Sequence, residues 1–309
     1  MAGEDGTLGR PAYEGKRKAI CCRLLSLGND YRGNEYVKIL HASPPPLGIA
    51  HFTTIDVEPL AYIAMAARIG YARVGLRLHP AFPGAPYYEI APGSTLMKAV
   101  RSQLVNTGVS VYDVEFVVID GTFDPNRLKP VLESAAELGA SRLSVSGDDA
   151  NPARLRSNIA ALAALSKPFG MSVDIENMPW RATASFANAL QLAKDSGAEN
   201  VGALVDALHF TRGGATPADL KAAPPARIRH FQFCDTTGPR PVTNDALIAE
   251  ARSGRKLPGE GTLPLAAMLN ALPDDCCLSV EVPMTTHDAE DHAGRVYEAT
   301  QRVMRDFVI

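Results

Sequence analysis

The sequence predicts an α/β fold in which eight parallel strands close into a (β/α)8 barrel. A strand pattern followed by a helix pattern recurs about every 30 residues from Leu47 onward, and eight such units can be counted. Their combined span of roughly 260 residues fits the usual size of such a barrel, about 250 residues. In most of the strands every second residue is polar, which predicts a polar barrel interior.

The predicted strands and helices alternate along the whole barrel. The strands are predicted at residues 47–53, 72–78, 109–118, 141–148, 171–176, 201–206, 228–235 and 278–282. The helical patterns include residues 58–69, 94–106, 125–138, 152–165 and 183–196, and the last helix runs from about 289 to 307. Because helices separate successive strands, the strands are expected to be parallel.

Residues 1–46 precede the first unit and are predicted to lie outside the barrel domain, which comprises residues 47–309. They are rich in Gly, Arg and Pro and end in a Ser-Pro-Pro-Pro run at residues 43–46. We expect a partly disordered N-terminal extension, and an interaction arm is the alternative.

The composition is that of an ordinary enzyme-sized protein. Hydrophobic residues make up 46% of the chain and charged residues 21%, and the net charge of -3 lacks the basic surplus of a nucleic-acid binder. No run of about 18 apolar residues predicts a membrane span. We therefore expect a small-molecule substrate as the partner, with no nucleic acid and no membrane, and the sequence leaves open whether the chain forms a homo-oligomer.

The cysteines indicate the compartment. The chain has 5 cysteines, four of them in two adjacent pairs, with neither a disulfide framework nor a CxxC zinc spacing. The first residues also lack the apolar stretch of a signal peptide. A reducing, cytoplasmic setting is predicted.

One stretch, MSVDIENMPW at residues 171–180, places chemistry in the barrel. Ser172, Asp174 and Glu176 alternate with two β-branched apolar residues, so the polar side chains should face the barrel interior if the apolar ones face the helices. Glu176 then stands at the C-terminal end of its strand, where (β/α)8 barrels carry their active sites.

The same alternation places polar residues of the other strands inside the barrel. The predicted interior residues are His51, Arg77, His79, Asp113, Glu115, Ser144, Ser146, Asp148, Glu176, Asp206, His230, Gln232 and Glu281. A purely structural barrel would fill this space with branched apolar side chains. The polar interior therefore predicts a functional site.

Four oxygen donors at the ends of strands 5 to 8 predict a metal site: Glu176, Asp206, Gln232 and Glu281. Three converging carboxylates repel one another unless a cation lies between them. Any one of them alone would more often be a helix cap or an ion-pair partner, but four at equivalent positions favour a metal. Carboxylate and amide oxygens are hard ligands, which suit Mg2+ or Mn2+ better than Zn2+.

The segments VDALHF, HFQFCD, LPGEG and SVEVP make the chain similar to the xylose isomerase-like TIM barrels, over residues 47–309. That family includes sugar phosphate isomerases and epimerases, ketose 3-epimerases, and inosose and dehydroshikimate dehydratases. The resemblance implies that Glu176, Asp206, Glu281 and a residue of strand 7 bind the metal. Many members have a histidine on strand 7, whereas this chain has Gln232, whose amide oxygen can also coordinate.

Further residues are predicted to contact the substrate. The resemblance implies this role for His209, three residues after Asp206, with a structural hydrogen bond as the alternative. Arg77 could hold a carboxylate, phosphate or hydroxyl group, or form an ion pair with Asp113 or Glu115.

Four more residues are candidates for the rim of the site. His79 is expected either to contact substrate or to form a hydrogen bond at the rim, and His51 and Trp180 are expected to form pocket walls. Trp180 could stack on an apolar sugar face or simply pack at the rim. Arg255, beside Lys256, is expected either over the mouth of the barrel or as a solvated loop charge.

The leading hypothesis is an isomerase or epimerase of a small polyhydroxylated carbonyl compound, in which Glu176 and Glu281 take and return a proton through an enediolate. A metal-dependent dehydratase is the close alternative, because the same enolate can expel a β-hydroxyl group. An abasic-site endonuclease and a non-catalytic ligand-binding barrel are weaker alternatives. The endonuclease would need histidines that this chain does not have at its strand ends.

Overall fold

A computed structural model describes residues 45–285 and 288–307. In this part of the chain eight parallel strands close into a barrel in sequence order, and the last strand pairs with the first. The strands are β1 Leu47–Ile49, β2 Arg73–Arg77, β3 Ser110–Ile119, β4 Arg142–Gly147, β5 Ser172–Glu176, β6 Val201–Asp206, β7 Ile228–Phe233 and β8 Cys277–Val280. The predicted (β/α)8 fold is confirmed, while the predicted extension lies outside the described residues except for its last two.

The helices surround this barrel. They are α1 Pro59–Ile69, α2 Thr95–Thr107, α3 Lys129–Glu137, α4 Pro152–Ser166, α5 Phe186–Asp195, α6 Ala207–Arg212, α7 Pro217–Ala222, α8 Asn244–Ser253, α9 Leu265–Leu269 and α10 Ala289–Phe307. Their ends follow local chemistry: α1 begins with a proline, and Ser94 caps α2 by accepting a 3.0 Å hydrogen bond from the Met97 amide. None of the helices described is both long and apolar enough to cross a membrane.

The apolar core lies between the strands and the helices. The outward-facing residues of the strands, such as Val74, Val173 and Ile175, are fully buried against this helical layer. Each such side chain contributes about 2 kcal/mol when it leaves water. The polar residues that alternate with them are turned to the barrel interior, which the alternation predicts.

The first strand is shorter than the sequence predicts. It ends at Ile49, and residues His51–Thr54 form a turn of 3-10 helix in which the Thr53 amide donates to the Ala50 carbonyl over 3.0 Å. His51 therefore leaves the strand alternation, and its predicted place on the strand is wrong.

The last two strands also end early, and both ends help to build the site. After β7 the chain turns, so that Asp235 pairs with Lys256 in an isolated antiparallel bridge. After β8 Glu281 continues in register without being part of the strand, because its amide donates to the Phe233 carbonyl over 3.0 Å. Glu281 thus stands at the barrel mouth.

Candidate active site

A cavity of about 170 Å³ opens at the C-terminal ends of the strands. Of the predicted site residues, those that line it are Arg77, Glu176, Trp180, His209, Gln232, Arg255 and Glu281. Asp206 is fully buried behind Arg255. His51 and His79 are not among the lining residues.

Glu176 is the last residue of β5, and its carboxylate faces the cavity with little support. Its Oε1 atom is buried without a hydrogen-bond partner in the described chain, and it lies 3.8 Å from His209 Nε2. Burial, followed by the nearby charges of Glu281 and Asp206, raises the pKa of Glu176 well above its usual value. Glu176 is therefore a proton acceptor or ligand that lacks a fixed partner.

Asp206 brings His209 to the site through the start of α6. Asp206 ends β6 and caps this helix, and its Oδ1 accepts a 2.9 Å hydrogen bond from the His209 amide. The spacing of three residues between the two side chains is the spacing of an N-cap and the third helical residue. Burial lowers the pKa of His209 to about 4, so its imidazole is neutral near pH 7.

The position of α6 is further held by Asn177, which follows Glu176. The Asn177 side-chain amide donates to the His209 carbonyl over 2.9 Å. A Cβ atom on Gly213 would lie 2.9 Å from both of these groups, so the close approach requires glycine there. Sequence reasoning missed Asn177, although its place directly after the strand-end glutamate was a usable clue.

Arg255 enters the site from the segment after α8 and neutralises two of its carboxylates. The guanidinium forms ion pairs with Asp206 and, over 3.0 Å, with Glu281 Oε2, and it lies 3.3 Å from His209 Nε2. Its Nε donates to the Ala251 carbonyl over 2.9 Å. Only 2% of the side chain is exposed, so the solvated alternative for Arg255 is wrong.

Asp235 helps to fix the segment after β7 that contains Arg255. Its carboxylate accepts hydrogen bonds from the amides of Gly259 and Leu263, each over 3.0 Å, which anchors the PGEG turn. A Cβ atom on Gly261 would stand 2.1 Å from Asp235 Oδ1, so only glycine fits at this point. The LPGEG segment therefore supports the site, and Asp235 is a residue that sequence reasoning did not single out.

The two carboxylates beside Arg255 differ in their proton affinity. Burial raises the pKa of Glu281 to about 7, with Arg255 opposing the rise. Burial also acts to raise the pKa of Asp206, but Arg255 and His209 outweigh it and hold this pKa below its usual value. Asp206 is thus a permanent anion, whereas Glu281 is suited to exchange a proton near neutral pH.

The residues present fit a divalent metal ion. Glu176, Asp206 and His209 each offer a ligand atom, and these atoms lie within 4.8 Å of one another. Glu176 Oε1, His209 Nδ1 and Gln232 Oε1 are buried with no hydrogen-bond partner among the residues described. Buried oxygen and nitrogen atoms that lack a hydrogen-bond partner in this way are stabilised by a bound cation.

Gln232 and Glu281 lie beside this cluster. The Gln232 amide group donates to Glu281 Oε1 over 3.5 Å, and both side chains line the cavity. The cluster found in the structure thus includes His209, which the sequence assigned to substrate, while Gln232 and Glu281 stay predicted ligands.

Arg77 combines features of the two roles predicted for it, a substrate contact and an ion-pair partner. It forms the expected ion pair with Glu115, with Nη2 3.3 Å from Oε2, and it also lines the cavity, with its guanidinium 4.7 Å above the Phe52 ring. Glu115 itself lines the cavity and is 2% exposed. Arg77 is held at the cavity wall with one carboxylate partner.

The two predicted histidines of the rim serve elsewhere. His51 is fully buried between Tyr62 and Tyr88, and its ring nitrogens contact the Val57 carbonyl at 2.9 Å and the Arg77 amide at 3.2 Å. These contacts explain why His51 has no ring nitrogen left for a ligand. His79 lies two residues beyond the end of β2, in a separate surface pocket.

The upper cavity wall is mainly apolar. Trp180 lies there with its ring edge-on to His209, the centroids 5.1 Å apart. Phe82, Phe116 and Met178 line the same side of the site. Polar groups therefore concentrate at the buried strand ends, whereas the wall nearer to solvent is mainly apolar, with Arg181 and Arg252 as its charged members.

Comparisons with known proteins agree with this fold. The family model for the xylose isomerase-like TIM barrel matches residues 63–307. A search of the curated proteins found no match.

Solved structures share the fold at low sequence identity. An IolI protein with a bound zinc atom is 19% identical, with a TM-score of 0.69 over 85% of this chain and 99% of that one. The probable 3-DHS dehydratase AsbF from Bacillus anthracis is 16% identical, with a TM-score of 0.65 over 83% and 98%. D-psicose 3-epimerase from Clostridium cellulolyticum H10 is 11% identical, with a TM-score of 0.64 over 84% and 99%. Because the family model spans most of the barrel, the chain belongs to the xylose isomerase-like TIM barrel family.

Proposed function

We propose that this protein is a metal-dependent isomerase or epimerase of a small hydroxylated carbonyl compound. The observation that carries the proposal is the buried group of Glu176, Asp206 and His209, which meets within 4.8 Å at the barrel mouth. Solved structures with the same fold include an epimerase and a zinc-containing protein, and the family contains enzymes. A small-molecule substrate fits the size of the cavity.

Glu176, Asp206 and His209 would hold the metal ion, with Gln232 and Glu281 as the further predicted ligands. The oxygen majority of this set favours Mg2+ or Mn2+ over Zn2+. Such an ion, when bound, would polarise the substrate carbonyl and lower the cost of the negative charge that develops on its oxygen. Asp206 supports this role because Arg255 and His209 keep it ionised.

The residues of the chain then move the proton. Glu281, whose carboxylate reaches the cavity between Gln232 and Arg255, can take a proton from the carbon beside the carbonyl and give it back. Glu176 is the second acid–base group, because its buried carboxylate has no hydrogen bond to Oε1 that would hold it in one protonation state. The substrate passes through an enediolate, and return of the proton to the other carbon or the other face gives isomerisation or epimerisation.

A dehydratase is the second candidate. It rests on the similarity in fold to the probable 3-DHS dehydratase and on Gln232, which stands where many members of the family have histidine. The first proton transfer would be the same, and loss of a β-hydroxyl group would follow it. The product therefore distinguishes the two reactions.

The test is proton exchange in D2O with Mg2+ present. A panel of ketoses and cyclic hydroxyketones would be incubated with the protein and followed by proton NMR for loss of the α-hydrogen signal. We expect exchange with at least one compound, reduced by about 10²-fold in Glu281→Gln, the range for loss of a positioned acid or base. An alkene product would select the dehydratase. Full retention of the α-hydrogen in a product would contradict both reactions and favour a hydride shift.

A further inference from the structure

The cavity has a polar floor and an apolar upper wall, and the two differ in exposure. The floor residues Glu115, His209 and Gln232 are each 2% exposed. In the upper wall Phe82 is 46% exposed, and Met178 and Trp180 are half-buried. A substrate that reaches the floor must therefore pass along, and rest against, the apolar side chains.

Part of the apolar wall is separate from the core that stabilises the fold, although Trp180 packs against that core. Ala81, Ala85 and Phe116 form a small cluster of their own, with Met178 packed against it, apart from the continuous core between strands and helices. Phe82, beside this cluster, leaves nearly half of its surface in water. Exposed aromatic side chains grouped at a cavity mouth commonly mark a binding surface.

This wall is held in place before any ligand arrives. Much of it comes from one segment after β2, whose ends are fixed by hydrogen bonds of 2.9 Å from the Tyr88 amide to the Arg77 carbonyl and from the Tyr88 hydroxyl to the Ile55 carbonyl. The guanidinium of Arg252 lies 5.1 Å above the Phe82 ring, a cation–π contact that orients the ring. The wall is thus a preformed apolar surface.

A substrate with hydroxyl groups along its whole length fits this wall poorly. Most of those hydroxyls would exchange their hydrogen bonds to water for contacts with aromatic rings, alanine methyl groups and a thioether, which cannot replace them. Of the two arginines that also line the cavity, Arg181 is paired with Asp148 and Arg252 lies over the Phe82 ring. A flat apolar group gains from the same contacts, since aromatic rings and methionine sulfur pack well against aromatic faces. An apolar cavity of about 150 Å³ holds one benzene ring, so the volume here, about 170 Å³, takes one six-membered ring and a few further atoms.

We infer that the substrate carries a flat apolar ring attached to the carbonyl and hydroxyl pair that reacts. The ring lies against Phe82, Phe116 and Met178, while the oxygen pair reaches Glu176 and Glu281 on the floor. This inference rests on the proposed function for the floor and narrows its substrate class to aryl hydroxyketones.

The test compares two probes that share the reacting end. 2-Hydroxyacetophenone and dihydroxyacetone have the same carbonyl and hydroxymethyl group, and differ by a phenyl ring in place of a second hydroxymethyl group. The chain has one tryptophan, and it lies in the cavity wall, so the single indole N–H resonance of Trp180 in 15N-labelled protein reports binding. Titrations would be made with Mg2+, which is diamagnetic and leaves the resonance sharp, and, separately, with EDTA.

We expect 2-hydroxyacetophenone to bind at least about tenfold more tightly than dihydroxyacetone, because the phenyl ring removes apolar surface from water. Phe82→Ser should weaken the binding of 2-hydroxyacetophenone by about fivefold and leave the affinity for dihydroxyacetone unchanged. Tyr87→Ser is the matched control, because Tyr87 is 43% exposed but does not line the cavity. Equal or tighter binding of dihydroxyacetone would overturn the inference, as would an equal effect of the two variants.

A third probe separates this inference from the proposed function. Acetophenone has the ring and the carbonyl but no hydroxyl group. If it shifts the Trp180 resonance in EDTA and loses affinity in Phe82→Ser, the apolar site exists even where the metal-dependent reaction fails. If neither aryl ketone shifts the resonance while α-hydrogen exchange occurs with a ketose, the floor has its proposed function and the ring inference is wrong.

Discussion

Two layers of polar side chains inside the barrel differ in how they are paired. In the lower layer Asp174 and Arg142 form an ion pair of 3.2 Å. His230 Nε2 lies 2.8 Å from Ser279 Oγ, with the ring edge-on to Tyr112 at 4.9 Å. Each of these side chains thus has a close partner within its own layer and none of them lines the cavity, although Asp174 Oδ1 and His230 Nδ1 have no second partner among the residues described.

The upper layer starts two residues further along the same strands. Glu176 follows Asp174 on β5, and Gln232 follows His230 on β7, a displacement of roughly 6.6 Å along each strand. Here Glu176 Oε1 and Gln232 Oε1 lack hydrogen-bond partners within residues 45–285 and 288–307. One strand alternation thus supplies both structural pairs and reactive groups. Their position along the barrel axis decides which of the two roles a side chain has.

The largest effect is expected where one cation serves two carboxylates of the upper layer. Arg255→Gln leaves buried Asp206 and Glu281 uncompensated, so the free energy of unfolding in EDTA should fall by about 4 kcal/mol. Added Mn2+ should raise the melting temperature of this variant more than that of the unaltered protein, because an ion can then replace the guanidinium charge. Lys256→Gln, at the exposed neighbouring position, is the control. Equal melting temperatures of the variant and the control in EDTA would refute this pairing.

The lower layer should respond in stability alone. Arg142→Met leaves the fully buried Asp174 carboxylate without its partner and should cost about 3 kcal/mol in urea denaturation. Metal affinity, measured by calorimetry, should stay unchanged. Arg156→Met, on the exposed surface of α4, should alter neither quantity. A loss of metal affinity in Arg142→Met would show that the two layers are coupled.

The difference between the layers is sharpest for the two acids of β5. Glu176→Gln should lower α-hydrogen exchange by about 10²-fold, because an amide cannot accept the proton. Its melting temperature should not fall, since the change removes a buried charge that has no fixed partner. Asp174→Asn should do the reverse, losing stability with the Arg142 pair and keeping exchange. Equal losses of stability in the two variants would show that Glu176 and Asp174 are held alike.

Gln232 allows a smaller test of the ligand set. Gln232→Ala should weaken Mn2+ binding by at least about tenfold, the lower range for loss of a group that supports a metal site. Gln232→His should keep binding and shift preference toward Zn2+, because imidazole is a softer donor than an amide oxygen. Competition calorimetry with both ions measures this preference. Unchanged affinity in Gln232→Ala would remove Gln232 from the ligand set.

The smallest effect is expected from deletion of the N-terminal residues. All eight strands begin at or after Leu47, so deletion of residues 1–40 should change the melting temperature by less than about 3 °C, which corresponds to about 1 kcal/mol. Metal affinity should be equal in the two forms. A larger fall in either quantity would assign the N-terminal segment a role in the barrel.

The sequence by itself determined the strand count, the strand order and, for most strands, the side that carries polar groups. These follow from local rules: a period of two along a strand, a helix between strands, and the right size for closure. The same rules brought Glu176, Asp206, Gln232 and Glu281 to one end of the barrel. The resemblance pointed to His209, three residues after Asp206, but the structure alone shows that Asp206 caps α6 through the His209 amide.

Only the tertiary structure decided which polar groups pair. Arg255 was expected at the mouth or in solvent, but its guanidinium lies between Asp206 and Glu281. Hydrogen bonds from the PGEG turn to Asp235 hold the neighbouring segment in place. His51 left the site because β1 turns after Ile49 and both ring nitrogens find partners. Such pairing depends on distances between segments far apart in the chain, and residue spacing carries no information about them.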